Sequence, residues 1–453
     1  MTEANASARR LLSRYCMKKL FAPLSLVVSL SAIACTTSST PNPAAPTGDE
    51  CTDATKAGCV VRSSQKRVTT PTVPASDMDA LVSGNTEFAA NMYQQLRGNA
   101  GNFFYSPHSI SSALGMTWAG AKGQTEADMA TALSFKLAQD KYHPAMNQLD
   151  LELMSRGQGA QGADGGGFRL NIANALWGQV GYHFESLFLD TLALNYDAGM
   201  HIVDFEKQAP QAIDLINGWV EKKTEDRIQD ILSPGSVDSS TRLVLTNAVY
   251  FNAAWETPFE AANTAPGAFT TQEGSSVTVP MMHGSFNVPY VQTAEYAAVE
   301  LPYDGRELSM VLVLPTDLNA FETSLTGAQI EKIAGSLSSG YMVDTKMPTF
   351  EFDSKFGLVE PLQALGMGIA FTDAADFSAI NGTGGLVITD VIHQSFVKVN
   401  EAGTEAAAAT AVIVGETSLP QPAAIALDKP FVFFIRDLQT KAVLFVGRVS
   451  DPR

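Results

Sequence analysis

Several stretches of this chain are apolar on both of their alternating faces. Leu243–Phe251 reads LVLTNAVYF, Leu308–Leu314 reads LSMVLVL, Phe431–Ile435 reads FVFFI and Val443–Val449 reads VLFVGRV. A strand exposed on one face alternates apolar and polar residues, so strands of this kind demand cover on both sides. Ala297–Pro302 is a further strand candidate. The cover is legible too. Leu81, Phe88, Ala89, Met92, Tyr93 and Leu96 recur at helical spacing, and Gly98 ends the run. Phe184–Tyr196 and Asp214–Asp226 also read as helices. The pattern predicts an α+β chain built on covered sheet. Its 453 residues suffice for one large domain or for two to three ordinary ones.

The ends of the chain differ in charge. Residues 1–76 hold nine Lys and Arg against four Asp and Glu, a net +5, whereas residues 77–453 hold 21 against 43, a net −22. So acidic a body argues against nucleic acid as a partner, because neutralised phosphates supply most of that affinity. Residues 17–35, MKKLFAPLSLVVSLSAIAC, have a basic start, an apolar run and small residues before a cysteine. That is a signal-peptide pattern, with Met17 as the expected start, and it is too short and too polar at its end to span a bilayer. Ala32-Ile33-Ala34-Cys35 resembles a bacterial lipoprotein cleavage site, which would make Cys35 the lipid-bearing first residue of an envelope protein facing the outer membrane or cell surface. Plain secretion is the alternative. Residues 36–76 are rich in Thr, Ser and Pro and are expected to form a tether, with the folded body at 77–453. Cys51 and Cys59 lie in that stretch and no cysteine follows, so an exported chain is expected to close a small Cys51–Cys59 loop.

Enzyme signatures are missing. The histidines at 108, 143, 183, 201, 283 and 393 show no zinc-ligand spacing, and neither a G-x-S-x-G elbow nor a phosphate loop occurs. Gly157–Gly162 fits G-x-G-x-x-G, but more glycine follows where a dinucleotide site needs a helix, so Ser155–Gly167 reads as a flexible surface loop.

Several segments, in order, resemble the serpin family across nearly all of residues 77–453. They are GNFFYSPHSISSAL from Gly101, LTNAVYFNAAWETPF from Leu245, VELPYDG from Val299, MVLVLP from Met310, MPTFEF from Met347, LGMGIAFTDAADFSAI from Leu365 and VIHQSFVKVNEAGTEAAAATA from Val391. DKPFVFFIRDLQTKAVLFVGRVSDP then closes the chain. The resemblance implies one large domain, not two: three β-sheets, about nine helices and an exposed reactive loop on a metastable fold. It implies a serine-type endopeptidase inhibitor with no catalytic residue, cofactor or metal of its own. The target, a serine or cysteine protease, cuts the loop, and the loop's N-terminal arm inserts into the main sheet and traps the acyl-enzyme. A non-inhibitory serpin, acting as a binding or carrier module, is the alternative. A monomer is expected, one that meets membrane only through its N-terminal lipid.

The hinge before the loop comprises Glu401, Gly403, Thr404, Glu405, Ala406, Ala407, Ala408, Ala409 and Thr410. Four consecutive alanines suit a helix, yet an arm from Gly403 to Thr417 would span about 50 Å as a strand. Thr404, Ala406, Ala408, Thr410 and Val412 would then share one face, all small near the entry point. No bulky or charged residue stands there, which favours an inhibitor. Alanine is a poor strand former, which helps keep the uncut arm out. Ala402 stands where many inhibitory members carry a second Glu, and is expected on the solvent side. Ser106 and Ser109 match the family's polar pair under the sheet, and Asn247 and His393 match their partners on adjacent strands, the shutter. Trp255 matches the aromatic at the breach, where insertion begins. Counting from Gly403 places the cut bond between Thr417 and Ser418, with Glu416 as the alternative; counting back from Lys429 gives Leu419-Pro420, which a following proline disfavours. No Lys or Arg lies from Ala402 to Asp428, so an elastase-like or subtilisin-like target is expected ahead of a trypsin-like one.

Overall fold

The structure, a computed structural model, describes residues 50–51, 54–404 and 419–453. Three sheets and ten α-helices occur among them. The largest sheet runs in spatial order β1 (Glu50–Cys51), β2 (Val60–Val61), β5 (Met200–Val203), β4 (Arg169–Gln179), β6 (Leu243–Ala254), β15 (Gly403–Thr404), β14 (Asp390–Asn400) and β13 (Phe350–Gly357). The second runs β3 (Phe103–Tyr105), β18 (Val443–Val449), β17 (Phe431–Asp437), β11 (Leu308–Pro315), β10 (Tyr296–Pro302) and β9 (Tyr290–Gln292). The third runs β16 (Gln421–Ala426), β12 (Tyr341–Pro348), β8 (Ser276–Asn287) and β7 (Ala265–Thr270). Every strand expected from the apolar runs is present, each within a few residues of its expected ends.

The doubly apolar strands are covered as their composition demands. Helix α2 (Pro107–Trp118), capped by the Ser106 hydroxyl, packs on β4, β6 and β18, and so lies between the first two sheets. On the opposite face of β6, Val244 and Ala248 meet Phe205, Ile216 and Val220 of α6 (Phe205–Lys223), in a cluster that also takes in Ile392 of β14. Each large apolar side chain so buried contributes about 1.5–3 kcal/mol. The remaining long helices, α1 (Ala75–Leu96), α3 (Gly123–Ala132), α4 (Gln139–Met154), α5 (Ser186–Tyr196), α7 (Leu318–Ser324) and α8 (Gly327–Ser336), surround this frame, with two single turns at Val359–Leu362 and Ser378–Asn381.

Two expectations need correction. Residues 54–74 are not a free tether. Val60 and Val61 are buried and pair with His201 and Met200, so β2, with β1 beyond it, extends the largest sheet past β5. Cys51 and Cys59 are joined as a disulfide. Downstream, the Arg67 guanidinium donates to Asn147 (2.8 Å) and pairs with Asp150, both on α4, while the Val68 amide donates to the Leu194 carbonyl on α5 (2.9 Å). The segment has only two buried valines and docks otherwise through polar contacts to distant helices, so composition carried no warning. Nor is the glycine-rich loop free. The amides of Gly157, Gln161 and Ala163 donate to Glu307, Asp304 and Asn252, and Arg156 pairs with buried Asp437 at 2.7 Å.

Candidate functional site: the seam between two central strands

Strands β6 and β14 are parallel neighbours, paired from Val244 with Asp390 to Tyr250 with Phe396. At one end of this seam β15 is wedged between them, antiparallel to both: Gly403 faces Ala254 and Asn400, and Thr404 faces Ala253 and Val399. The approach is close. A Cβ on Gly403 would stand 2.3 Å from the Ala253 carbonyl oxygen, so only glycine fits. Thr404 is buried and hydrogen-bonds the Tyr303 hydroxyl at 2.9 Å.

Trp255 organises the entrance. Its amide donates to the Ala402 carbonyl (2.8 Å), its indole N–H donates to the Asn400 carbonyl (3.0 Å), and its ring stacks on Tyr303 at 4.8 Å. The Glu401 carbonyl accepts from the Phe259 amide at 2.8 Å, and its carboxylate accepts from the Thr264 hydroxyl at 2.7 Å. Ala402 is buried at 6% exposure, not solvent-facing as expected, because Trp255 and the Asn400 side chain draw its backbone inward.

At the middle of the seam the structure brings Ser106, Ser109, Asn247 and His393 together. The Ser106 amide donates to His393 Nε2 at 3.2 Å, so that nitrogen is the acceptor and Nδ1 carries the proton. Nδ1–H then donates to Asn247 Oδ1, and Asn247 Nδ2 donates to the Ser109 hydroxyl at 2.6 Å. Asn174 of β4 completes the row. Its Oδ1 accepts from Asn247 Nδ2 and from Ser109 Oγ (3.0 Å), and its Nδ2 donates to the Ser109 carbonyl (3.1 Å). Burial lowers the His393 pKa to about 3, so the ring is neutral and the donor sequence is unique. Asn174, Asn247 and His393 thus form one polar row across three strands. Sequence reasoning missed Asn174 and Tyr303. A polar side chain inside the apolar run LNIANALW was the available signal for the first.

Glu405, Ala406, Ala407, Ala408, Ala409, Thr410, Glu416, Thr417, Ser418 and Cys35 lie outside the described residues. Beyond the loop the chain resumes at Leu419, 97% exposed, and β16 then pairs in parallel with β12.

A family described as Serpin (serine protease inhibitor) matches residues 83–452. The leukocyte elastase inhibitor of Sus scrofa is 36% identical over 83% of this chain and 100% of its own length. An uncharacterized serpin-like protein of Thermococcus kodakarensis is also 36% identical, over 84% of this chain and 90% of its own. Among solved structures, the native state of the thermophilic serpin tengpin matches with a TM-score of 0.75 at 26% identity, covering 86% of this chain and 97% of tengpin.

Proposed function

The chain belongs to the serpin family, and from that premise we propose that it traps a serine protease by drawing its cut reactive loop into the seam between β6 and β14. The protein is a protease inhibitor and not an enzyme. One observation carries the reading. Gly403 already pairs with Ala254 and Asn400, and the offset between those two partners is the offset between β6 and β14 throughout the seam. An arm continuing β15 therefore finds both neighbours in register. The strands need only separate sideways by about one strand spacing, 4.8 Å, without sliding.

Continuing that register pairs Ala406 with Phe251 and Val397, and Ala408 with Val249 and Ser395. Thr410 then falls between Asn247 and His393, where its hydroxyl replaces the bond the two lose as the strands part. Each backbone bond gained contributes about 1 kcal/mol. The protease, held as an acyl-enzyme, is dragged with the arm, its catalytic groups lose alignment, and deacylation stalls.

The reactive bond is Thr417–Ser418, with Glu416 the neighbouring choice, and the target is elastase-like or subtilisin-like. The small residue before the bond, the lack of Lys and Arg, and the relatives named leukocyte elastase inhibitor support this. The inhibitor acts as a monomer. It is exported, with a lipid anchor on Cys35: the apolar run before Cys35 supports this, as does the Cys51–Cys59 bond, since disulfides persist in oxidising compartments. Mass spectrometry of the native N-terminus distinguishes a lipidated Cys35 from a plain secretory cut.

The test incubates the full chain with an elastase-like and a subtilisin-like protease. The expected result is a denaturant-stable band at the summed mass and a released peptide beginning at Ser418. Cleavage without that band, and with no rise in melting temperature of the cut chain, overturns the reading.

A further inference from the structure

Away from the seam, a cavity of about 330 Å³ opens between α6 and β5, the size range of small-ligand sites. Trp177, fully buried, forms its floor, and its indole N–H is already committed to the Thr246 hydroxyl at 2.9 Å. With no exposed surface of its own, Trp177 backs the cavity, and the partly exposed rings are Trp219 and His201. Trp219 stands edge-on to Trp177 at 5.6 Å, and His201 lies 4.5 Å from Trp177 and 5.3 Å from Trp219. Two accessible rings backed by a third select a flat, apolar guest by stacking and edge contacts. The disulfide-bonded Cys59 closes one side, so the docked segment 54–61 builds part of the wall.

The charge at the rim narrows the guest further. Lys222 lines the mouth and forms no ion pair among the described residues. Lys223 lies 5.8 Å over the Trp219 ring, so a cationic guest meets a ring that already holds a cation. Asp214 is the one acid of the lining. Burial, helped by Arg62 and Lys223, lowers His201 to about 4, so its ring is a neutral wall at neutral pH.

We propose that this cavity binds an aromatic monocarboxylate of two rings, its rings against Trp219 and His201 and its carboxylate at Lys222. No lining residue lies on β6 or β14, so binding is tested in the uncut chain without loop insertion. Biphenyl-4-carboxylate is the probe, titrated into the full chain by calorimetry, with quenching of tryptophan fluorescence as second readout, since two of the four tryptophans line the cavity. Saturable one-to-one binding is expected, tighter than that of the trimethylammonium analogue. Gly218→Leu is the blocking variant. Gly218 lies in α6 and lines the cavity, and a Cβ there meets nothing within 4 Å, so the new side chain fills the site without strain. It should weaken binding at least about tenfold. Lys222→Glu should weaken the carboxylate and spare neutral biphenyl. Absence of saturable binding, equal affinity for the ammonium analogue, or unchanged binding in Gly218→Leu each overturns the proposal.

Discussion

The seam of the largest sheet and the six-stranded second sheet are both buried, yet they are built for opposite purposes. The second sheet is antiparallel throughout, and its centre is aromatic: Phe104 stacks on Phe445 at 4.8 Å and on Phe433 at 5.7 Å. Its buried cation, Arg448, is satisfied by Glu322 at 3.1 Å and by the carbonyls of Arg97, Asn99 and Gly101. Opening it would expose rings and strand an ion. The seam joins parallel strands, and its middle is held by a hydrogen bond between the side chains of Asn247 and His393, which Thr410 would replace in the proposed insertion. The difference teaches where a fold can afford to part: along hydrogen bonds that can be remade, not along packed rings that cannot.

Thr410→Arg should break the comparison most completely. An arginine inserted between Asn247 and His393 is buried without a partner, so the yield of covalent complex should fall by about tenfold or more, with cleavage taking its place. A denaturing gel reads this directly; undiminished complex means that the arm does not follow the register of β15.

Phe445→Ala tests the permanent side. It removes a ring at 0% exposure and should cost about 3–5 kcal/mol. The loss should be equal in uncut and cut chains, measured by denaturant unfolding of each. Asn247→Ala should cost less, about 1–3 kcal/mol, by leaving the His393 Nδ1–H and the Ser109 and Asn174 groups short of a partner. Here the loss should concentrate in the uncut chain, since the inserted Thr410 replaces part of it. Equal losses in both forms would erase the distinction between seam and second sheet.

The smallest effect is that of mild acid. His393 sits near 3 when folded against 6.5 ordinarily, so below about 6.5 the unfolded chain binds the proton that the native ring refuses. Its contribution is therefore fully present above 6.5 and declines as pH falls toward 3. His143, held at about 3 by burial, and His201 act in the same direction. The strands of the second sheet contain no histidine. His393→Gln should flatten the acid limb of a stability-against-pH curve, whereas a change in the second sheet should lower the whole curve without reshaping it.

Much of this was legible in the residues. Unbroken apolar runs such as LVLTNAVYF require a strand covered on both faces, because no polar face remains for water. Small residues on one face from Thr404 to Thr410 favour an arm able to enter a closed sheet, which is the basis of the proposed insertion. What escaped has a common cause. The dock of residues 54–74 rests on two valines, on backbone bonds and on side chains such as Arg67 that reach distant helices. The glycine-rich loop is held by carboxylates and amides from distant strands, and Ala402 is buried by Trp255. None of these partners is near in sequence.

By itself, then, the sequence determined the covered strands, helices α1 and α5, the C-terminal half of α6 and the smallness of the arm, because periodicity and side-chain volume are local properties. Tertiary structure alone decided that Asn174 joins Asn247 and His393, that a disulfide-bonded segment walls an aromatic cavity, and that β6, β15 and β14 share one register. Those facts depend on which strands become neighbours, and hydrogen-bond partners hundreds of residues apart are chosen by the fold as a whole.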